Sequence, residues 1–298
     1  MPRSPVQRVR ARLVRRIDDL ALGRAQTLIA RSERGEAADA LVTMALRSTA
    51  ARARKGALTP KEQKAVAAAF SALWSPQSQP VDPPPAIVGD VIRNQFHLLY
   101  YHVSRQTWKD TWYRGIATYK CPTDMWVYQE LIDELRPGLV VETGTFRGGS
   151  ALFLADRLET LGHGEVVSVD IDPHGDERPT HPRLTYLIGS SVAPDIVNEI
   201  RQRIPTDGSP VLVILDSDHS QQHVAAELHT YAPLVTVGSY LIVEDTNVNG
   251  HPAAPDHGPG PYEAVAEFLA EDRRYAVDPR CERYFLTQNP SGYLRRER

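Results

Sequence analysis

The chain has 298 residues, 42% of them apolar and 24% charged, with a formal net charge of −3; this is ordinary for a globular fold and long enough for one large domain or two smaller ones. No uninterrupted apolar stretch reaches the roughly 18 residues of a membrane span. The two cysteines, Cys121 and Cys281, lie far apart and form no metal pattern, so a reduced, cytoplasmic protein without a membrane partner is expected.

Charge is uneven along the chain. Residues 1–60 carry 13 Arg/Lys against 5 Asp/Glu, a net of +8, and the remainder carries 21 against 32, a net of −11. The arginine-rich start is amphipathic but is interrupted by Asp18 and Asp19, and it has no apolar signal core, so no targeting segment is expected. A basic arm could touch nucleic acid. The aromatic–basic interleaving of a nucleic-acid module is missing, however, and docking on the chain's own acidic domain or on a sister subunit of a homo-oligomer is the expectation.

Residues 1–75 read as a helical N-terminal segment, either for oligomerisation or as a substrate lid. Leu13, Ile17 and Leu20 fall on one helical face, and Ala38, Leu41, Met44 and Ala45 form a second stripe. Thr59-Pro60-Lys61-Glu62 supplies an N-cap, a first-turn proline and an acid for a third helix with Val66, Phe70 and Leu73 on its apolar face. Residues 76–111 are a linker, stiffened by the prolines between Ser75 and Pro85, and an aromatic connecting segment. Trp108 and Trp112 lie in the aromatic-rich stretch from Ile87 to Lys120, which either lines a ligand cleft or packs the edge of the next domain.

Residues 112–298 alternate strand and helix. Helices are expected over Asp124–Leu135, Gly148–Leu161, Ala193–Arg203, Gln221–Tyr231 and Tyr262–Ala270. Strands are expected over Leu139–Glu142, Glu165–Asp170, Leu184–Gly189, Val211–Asp216, Tyr240–Val243 and Arg283–Thr287. Alternation with these loop lengths predicts an α/β fold built on a doubly wound parallel sheet.

Two of these strands end in acids: Val211-Leu-Val-Ile-Leu-Asp216-Ser-Asp218-His219 and Gly238-Ser-Tyr-Leu-Ile-Val-Glu244-Asp245. Strands buried on both faces read as continuous Val/Ile/Leu runs, and ligands bind beyond their carboxyl ends. Several carboxylates on one rim repel each other. A hard divalent cation that prefers oxygen is their natural partner.

Val140-Val-Glu142-Thr-Gly144-Thr-Phe-Arg-Gly148-Gly149-Ser150 follows one strand and opens a helix, where the backbone can approach a ligand closely. It departs from the G-x-G-x-x-G fingerprint and lacks the lysine of a phosphate-binding loop. Asp170 ends the next strand, 28 residues after Glu142, and a carboxylate there can accept both hydroxyls of a ribose. Small polar residues, Ser190 and Ser191, follow the third strand. The series suits an adenosine with a charged tail.

These motifs resemble the cephalosporin hydroxylase family of Rossmann-like, S-adenosylmethionine-binding proteins, which includes many natural-product O-methyltransferases. The resemblance is carried by Lys120-Cys-Pro-Thr-Asp-Met-Trp-Val-Tyr-Gln-Glu130, Val141–Ser150, Ser168–Asp172, Leu215–Ser220, Gly238–Thr246 and Asn289–Arg295. It implies a class I methyltransferase sheet. It further implies that Glu142, Gly144 and Ser150 hold the amino-acid end of S-adenosylmethionine, with Thr143 and Asp216 also against the cofactor. Asp170 would bind the ribose and Ser191 would lie near the adenine.

The same resemblance implies Mg2+ on Asp216, Glu244 and Asp245, as in macrolide-sugar O-methyltransferases, where a histidine base lies three residues after the first acid. His219 has that place. Asp218 is an extra acid that could replace Asp216 at the metal or serve as base. The expected reaction is Mg2+-dependent methyl transfer to a hydroxyl of a glycosylated secondary metabolite. The other role open to His219 is only to cap the following helix, and His223 is expected to pack on it. The loop Asn247–Pro261, with His251 and His257, either covers the substrate or is a surface loop. An oxygenase, as the family name suggests, usually needs two histidines and one carboxylate. A non-catalytic S-adenosylmethionine-binding partner protein and a nucleic-acid methyltransferase are the other readings.

Overall fold

The computed structural model describes residues 86–103, 106–173 and 178–298. The expected N-terminal helices and the proline-rich stretch up to residue 85 lie outside the described residues. By Cα proximity the chain divides between Ile92 and Arg93, and the second unit carries the sheet.

Helix α1, Ala86–His102, runs through the stretch expected to connect the two parts. A small antiparallel hairpin follows, β1 (Trp112–Tyr113) and β2 (Ile116–Ala117). Then come α2 (Pro122–Leu135), β3 (Leu139–Thr143), α3 (Gly149–Leu161), β4 (Glu165–Asp170) and β5 (Leu184–Ile188). The chain continues with α4 (Pro194–Gln202), β6 (Val211–Leu215), α5 (Gln221–Tyr231), β7 (Tyr240–Val243) and α6 (Pro261–Glu271). It ends with β8 (Tyr275–Val277) and β9 (Tyr293–Arg296).

The seven-stranded sheet has the order β5-β4-β3-β6-β7-β9-β8. The first five are parallel, and β9 runs antiparallel to both β7 and β8. The sheet is the doubly wound class I methyltransferase arrangement. Arg283–Thr287, expected as the last strand, is instead a turn and loop after a short 3-10 segment. Its rings explain the difference: Tyr284 and Phe285 face outward, so their strand propensity finds no sheet face to cover.

Alternate residues of each strand feed two cores. Leu139, Val141, Val167, Val213 and Leu241 pack with Ile200 of α4, Leu228 of α5 and Phe268 of α6. Val140, Val166, Leu212 and Ile242 pack with Ile132 of α2 and Leu158 of α3. This is why the strands read as unbroken apolar runs: both faces are dry.

The helices start where local chemistry satisfies their free N–H groups. Pro122, Pro194 and Pro261 each open a helix. The Ser220 hydroxyl accepts from the His223 N–H at the start of α5. The Glu263 carboxylate accepts the Gly260 N–H at 2.8 Å and fixes the start of α6. No helix among the described residues is long and apolar enough to cross a membrane.

Candidate active site

A cavity of about 780 Å3 opens along the carboxyl ends of β3 to β7. Its floor on one side is the β3–α3 loop. Thr143 ends β3 fully buried, and its Oγ1 accepts the Asp216 N–H at 3.3 Å. Gly144 then turns with φ +83°, and a Cβ there would stand 1.9 Å from the Asp216 carbonyl oxygen. Only glycine lets the β3 and β6 ends approach so closely. Gly144 and Ser150 line the cavity, whereas Glu142 and Thr143 stand behind its wall.

Glu142 is buried and accepts the Ser168 hydroxyl at 2.6 Å on Oε2. Its Oε1 has no partner. Burial pushes the carboxyl up, while Lys120 and hydrogen bonds from Ser150 and Ser168 work the other way. An unpartnered carboxylate oxygen below a glycine loop fits the ammonium of an amino-acid group.

Asp170 faces the cavity at the end of β4. It accepts the Phe146 N–H at 2.8 Å and the Asp172 N–H at 2.9 Å, and Arg178 lies 3.1 Å away. These contacts hold the carboxylate in one orientation. Arg178, which the sequence reading gave no role, also donates to the Phe146 and Asp172 carbonyls. Ser191 lines the cavity beyond β5, and its Oγ lies 3.1 Å from His223 Nε2. His223 therefore does more than pack on its helix: it reaches the cavity wall and orients Ser191.

The acids expected to share a metal do not converge as one set. Ligand atoms of Asp216, His219 and Asp245 lie within 4.8 Å of one another. Glu244 turns instead to Lys120, whose Nζ donates to Glu244 Oε1 at 2.6 Å and also to Asp216 Oδ2. Lys120 is 3% exposed. Burial alone would discharge the ammonium, but Asp216, Glu244 and Glu142 hold its proton firmly. Glu244 itself is pushed up to about 7, by burial first and Asp216 second, with Lys120 opposing. In the sequence Lys120 is only the first residue of a motif. No local pattern announces a lysine whose partners lie 96 and 124 residues away.

Asp245 takes φ +53°, a conformation uncommon outside glycine and short polar residues. Asn289 holds it there by accepting its N–H at 3.1 Å. Tyr128 in turn accepts from Asn289 Nδ2 at 2.9 Å. The turn aims the Asp245 carboxylate at His219, whose Nε2 is 3.2 Å from Asp245 Oδ2. Burial works against the charged imidazole, yet Asp245, Asp216 and Glu244 together raise its pKa above the ordinary value.

Asp218 plays a different part. It is exposed, and hydrogen bonds from the Ser220 hydroxyl first and the Ser220 N–H second, the latter at 2.7 Å to Oδ1, hold its carboxyl below the ordinary value. It shapes the turn into α5 and stands outside the converging group.

Four rings form a continuous wall of the cavity. Tyr101 stacks on Trp108 at 5.4 Å, Trp108 meets Tyr119 edge-on at 6.3 Å, and Tyr119 meets Phe146 at 5.0 Å. All four line the cavity. Of the tryptophans in the aromatic-rich stretch, Trp108 thus lines the cleft, while Trp112 is 62% exposed. Val248 and His257 bring the loop after β7 to the cavity. Glu263 ties that loop down, accepting from Asn249 Nδ2 at 2.9 Å and pairing with His251 at 2.9 Å.

A rim with a glycine loop, a strand-end carboxylate, a carboxylate–histidine cluster and an aromatic wall can hold a nucleoside donor beside an acceptor. The pattern of the Rhamnosyl O-methyltransferase/CmcI family matches residues 105–297. A curated rhamnosyl O-methyltransferase of Mycobacterium bovis (strain BCG / Pasteur 1173P2) is 39% identical over 213 residues, 69% of this chain and 85% of that protein. Its counterpart in Mycobacterium leprae (strain TN) is 40% identical over 213 residues, 70% of this chain and 92% of that protein. Among solved structures, the CmcI-N160 apo-structure superposes with a TM-score of 0.51 at 24% identity, over 63% of this chain and 76% of that one.

Proposed function

The chain belongs to the Rhamnosyl O-methyltransferase/CmcI family and is an S-adenosylmethionine-dependent O-methyltransferase, and from that premise we propose its acceptor and its metal: a sugar hydroxyl, in particular a deoxysugar hydroxyl of a glycosylated secondary metabolite, and Mg2+. The observation that carries this reading is the convergence of Asp216, His219 and Asp245 within 4.8 Å in the same cavity as the glycine loop and Asp170. The sugar comes from the curated relatives, which are named for rhamnosyl methylation.

The donor set fits a hard divalent ion. Asp216 and Asp245 offer carboxylate oxygens, and Mg2+ takes one or two carboxylates while keeping room for a substrate. Glu244 stands one residue from Asp245 and is the further candidate ligand. When bound there, the ion would lower the acceptor hydroxyl's pKa and fix its oxygen.

His219 is the base. It takes the hydroxyl proton, and Asp245 at 3.2 Å stabilises the imidazolium that results. The acceptor oxygen bonds to the methyl carbon as the carbon–sulfur bond breaks and its electron pair returns to sulfur. Gly144 and Ser150, with Glu142 and Thr143 behind them, take the amino-acid end of the donor. Asp170 takes the ribose, and Ser191 stands by the adenine. Most of the acceleration comes from holding the two reactants in line.

The test is methyl transfer to an aryl rhamnoside, followed in MgCl2 and in excess chelator. Product in MgCl2 and its loss in chelator are expected. Full turnover in chelator would remove the metal, and turnover of a catechol with none of any deoxyhexoside would remove the sugar.

A further inference from the structure

Four carboxylates gather at the β3, β6 and β7 ends: Glu142, Asp216, Glu244 and Asp245. One of them, Asp216, belongs to two groups at once. It sits within 4.8 Å of the His219 and Asp245 ligand atoms, and its Oδ2 also accepts from Lys120. Glu244, the neighbour of Asp245 in the chain, has its Oε1 on the same ammonium at 2.6 Å.

Lys120 is not placed there by chance of a long side chain. The segment just before it is clamped against the start of α3. A Cβ on Gly149 would lie 2.6 Å from Thr118 Oγ1 and 2.7 Å from the Ala117 carbonyl oxygen. The Lys120 N–H also donates to Thr111 Oγ1 at 3.2 Å. The ammonium is therefore delivered to the acids by backbone packing, at a buried point where charges act at close range.

We propose that Lys120 is a positioning residue that sets how tightly the site takes a divalent cation, because its ammonium draws on Asp216 and Glu244, the same carboxylates such a cation would use. Two cations that share a carboxylate repel each other. The ammonium holds Glu244 to itself and weakens the pull of Asp216 on a second cation. It also offsets the mutual repulsion of the acids, which lets four of them stand together. The inference rests on the divalent-ion reading given above.

The experiment titrates MgCl2 into the full chain by calorimetry at constant ionic strength, for the wild type, Lys120→Met and Lys120→Arg. Thermal melts with and without Mg2+ accompany it. Lys120→Met is expected to bind Mg2+ about tenfold or more tightly than the wild type, because a competing charge at close range is gone. Its Tm should fall without Mg2+ and rise more than the wild type's when Mg2+ is added. Lys120→Arg keeps the charge and should stay within about threefold of the wild-type affinity.

Equal or weaker Mg2+ binding by Lys120→Met overturns the proposal and leaves Lys120 a structural counter-ion. If Lys120→Met does not fold in Mg2+-free buffer, the proposal requires millimolar Mg2+ to restore folding, and a protein unfolded in both buffers overturns it. Binding by the wild type that Lys120→Met does not improve sinks this inference alone. No Mg2+ binding by any of the three proteins sinks the metal reading and this inference with it.

Discussion

The two halves of the cavity rim are built in different ways. On the cofactor side, at the ends of β3, β4 and β5, each functional group follows its strand directly: Gly144 after Thr143, Asp170 at the end of β4, Ser191 just beyond β5. On the acid side, at the ends of β6 and β7, the groups also follow strands, but their state is set from afar. Lys120 comes from the segment before α2 and Asn289 from the stretch before β9. A rim made of strand ends alone positions neutral and singly charged groups. A rim that must hold several acids needs partners brought by tertiary packing.

The largest expected effect separates the two sides. His219→Ala should lower kcat by about 10²–10⁴, the usual contribution of a positioned base, while the affinity for S-adenosylmethionine changes little. Turnover measured beside cofactor titration checks this; unchanged turnover would take the base away from His219.

Gly144→Ala tests the seam where the sides meet. The new Cβ would stand 1.9 Å from the Asp216 carbonyl oxygen at a residue with φ +83°. Backbone strain of this kind costs on the order of 1–3 kcal/mol. Cofactor affinity and turnover should therefore fall together, by about tenfold or more. A variant that loses only one of them would show that the seam is looser than the geometry requires.

The smallest effect concerns the loop over the acid side. Burial works against the charge of Glu263, but hydrogen bonds from the Gly260 N–H, His251 and Asn249 hold its carboxyl down at about 2, against an ordinary 4.5. A depressed carboxyl contributes stability that is present above about pH 4.5 and is lost as pH falls toward 2. Glu263→Gln should flatten that part of the Tm–pH curve relative to the wild type. A curve of unchanged slope would mean that the loop is anchored elsewhere.

The strands β3, β4, β6 and β7 are legible because each is buried on both faces and is rich in Val, Ile and Leu, whereas β5 is only half-buried. Their order in the sheet was not spelled out by any one of them. The last strand lies at Tyr293–Arg296 and not at Arg283–Thr287, where aromatic content imitates a strand; β9 sits between β7 and the short edge strand β8, and its pairing is antiparallel and nonlocal. Glu142, Asp170, Asp216 and Glu244–Asp245 were legible as acids at strand ends. Their division of labour was not. Nothing in the spacing of Glu244 and Asp245 says that one turns to an ammonium and the other, through a positive φ, to a histidine.

The sequence by itself determined the doubly wound α/β class, the rim on which ligands gather and the acids, glycines and histidine found there, because these follow from strand burial and from residues adjacent in the chain. The tertiary structure alone decided which acids meet. Carboxylate orientation depends on partners such as Lys120 and Asn289, and those are delivered by the packing of segments far apart in the chain, which no local pattern encodes.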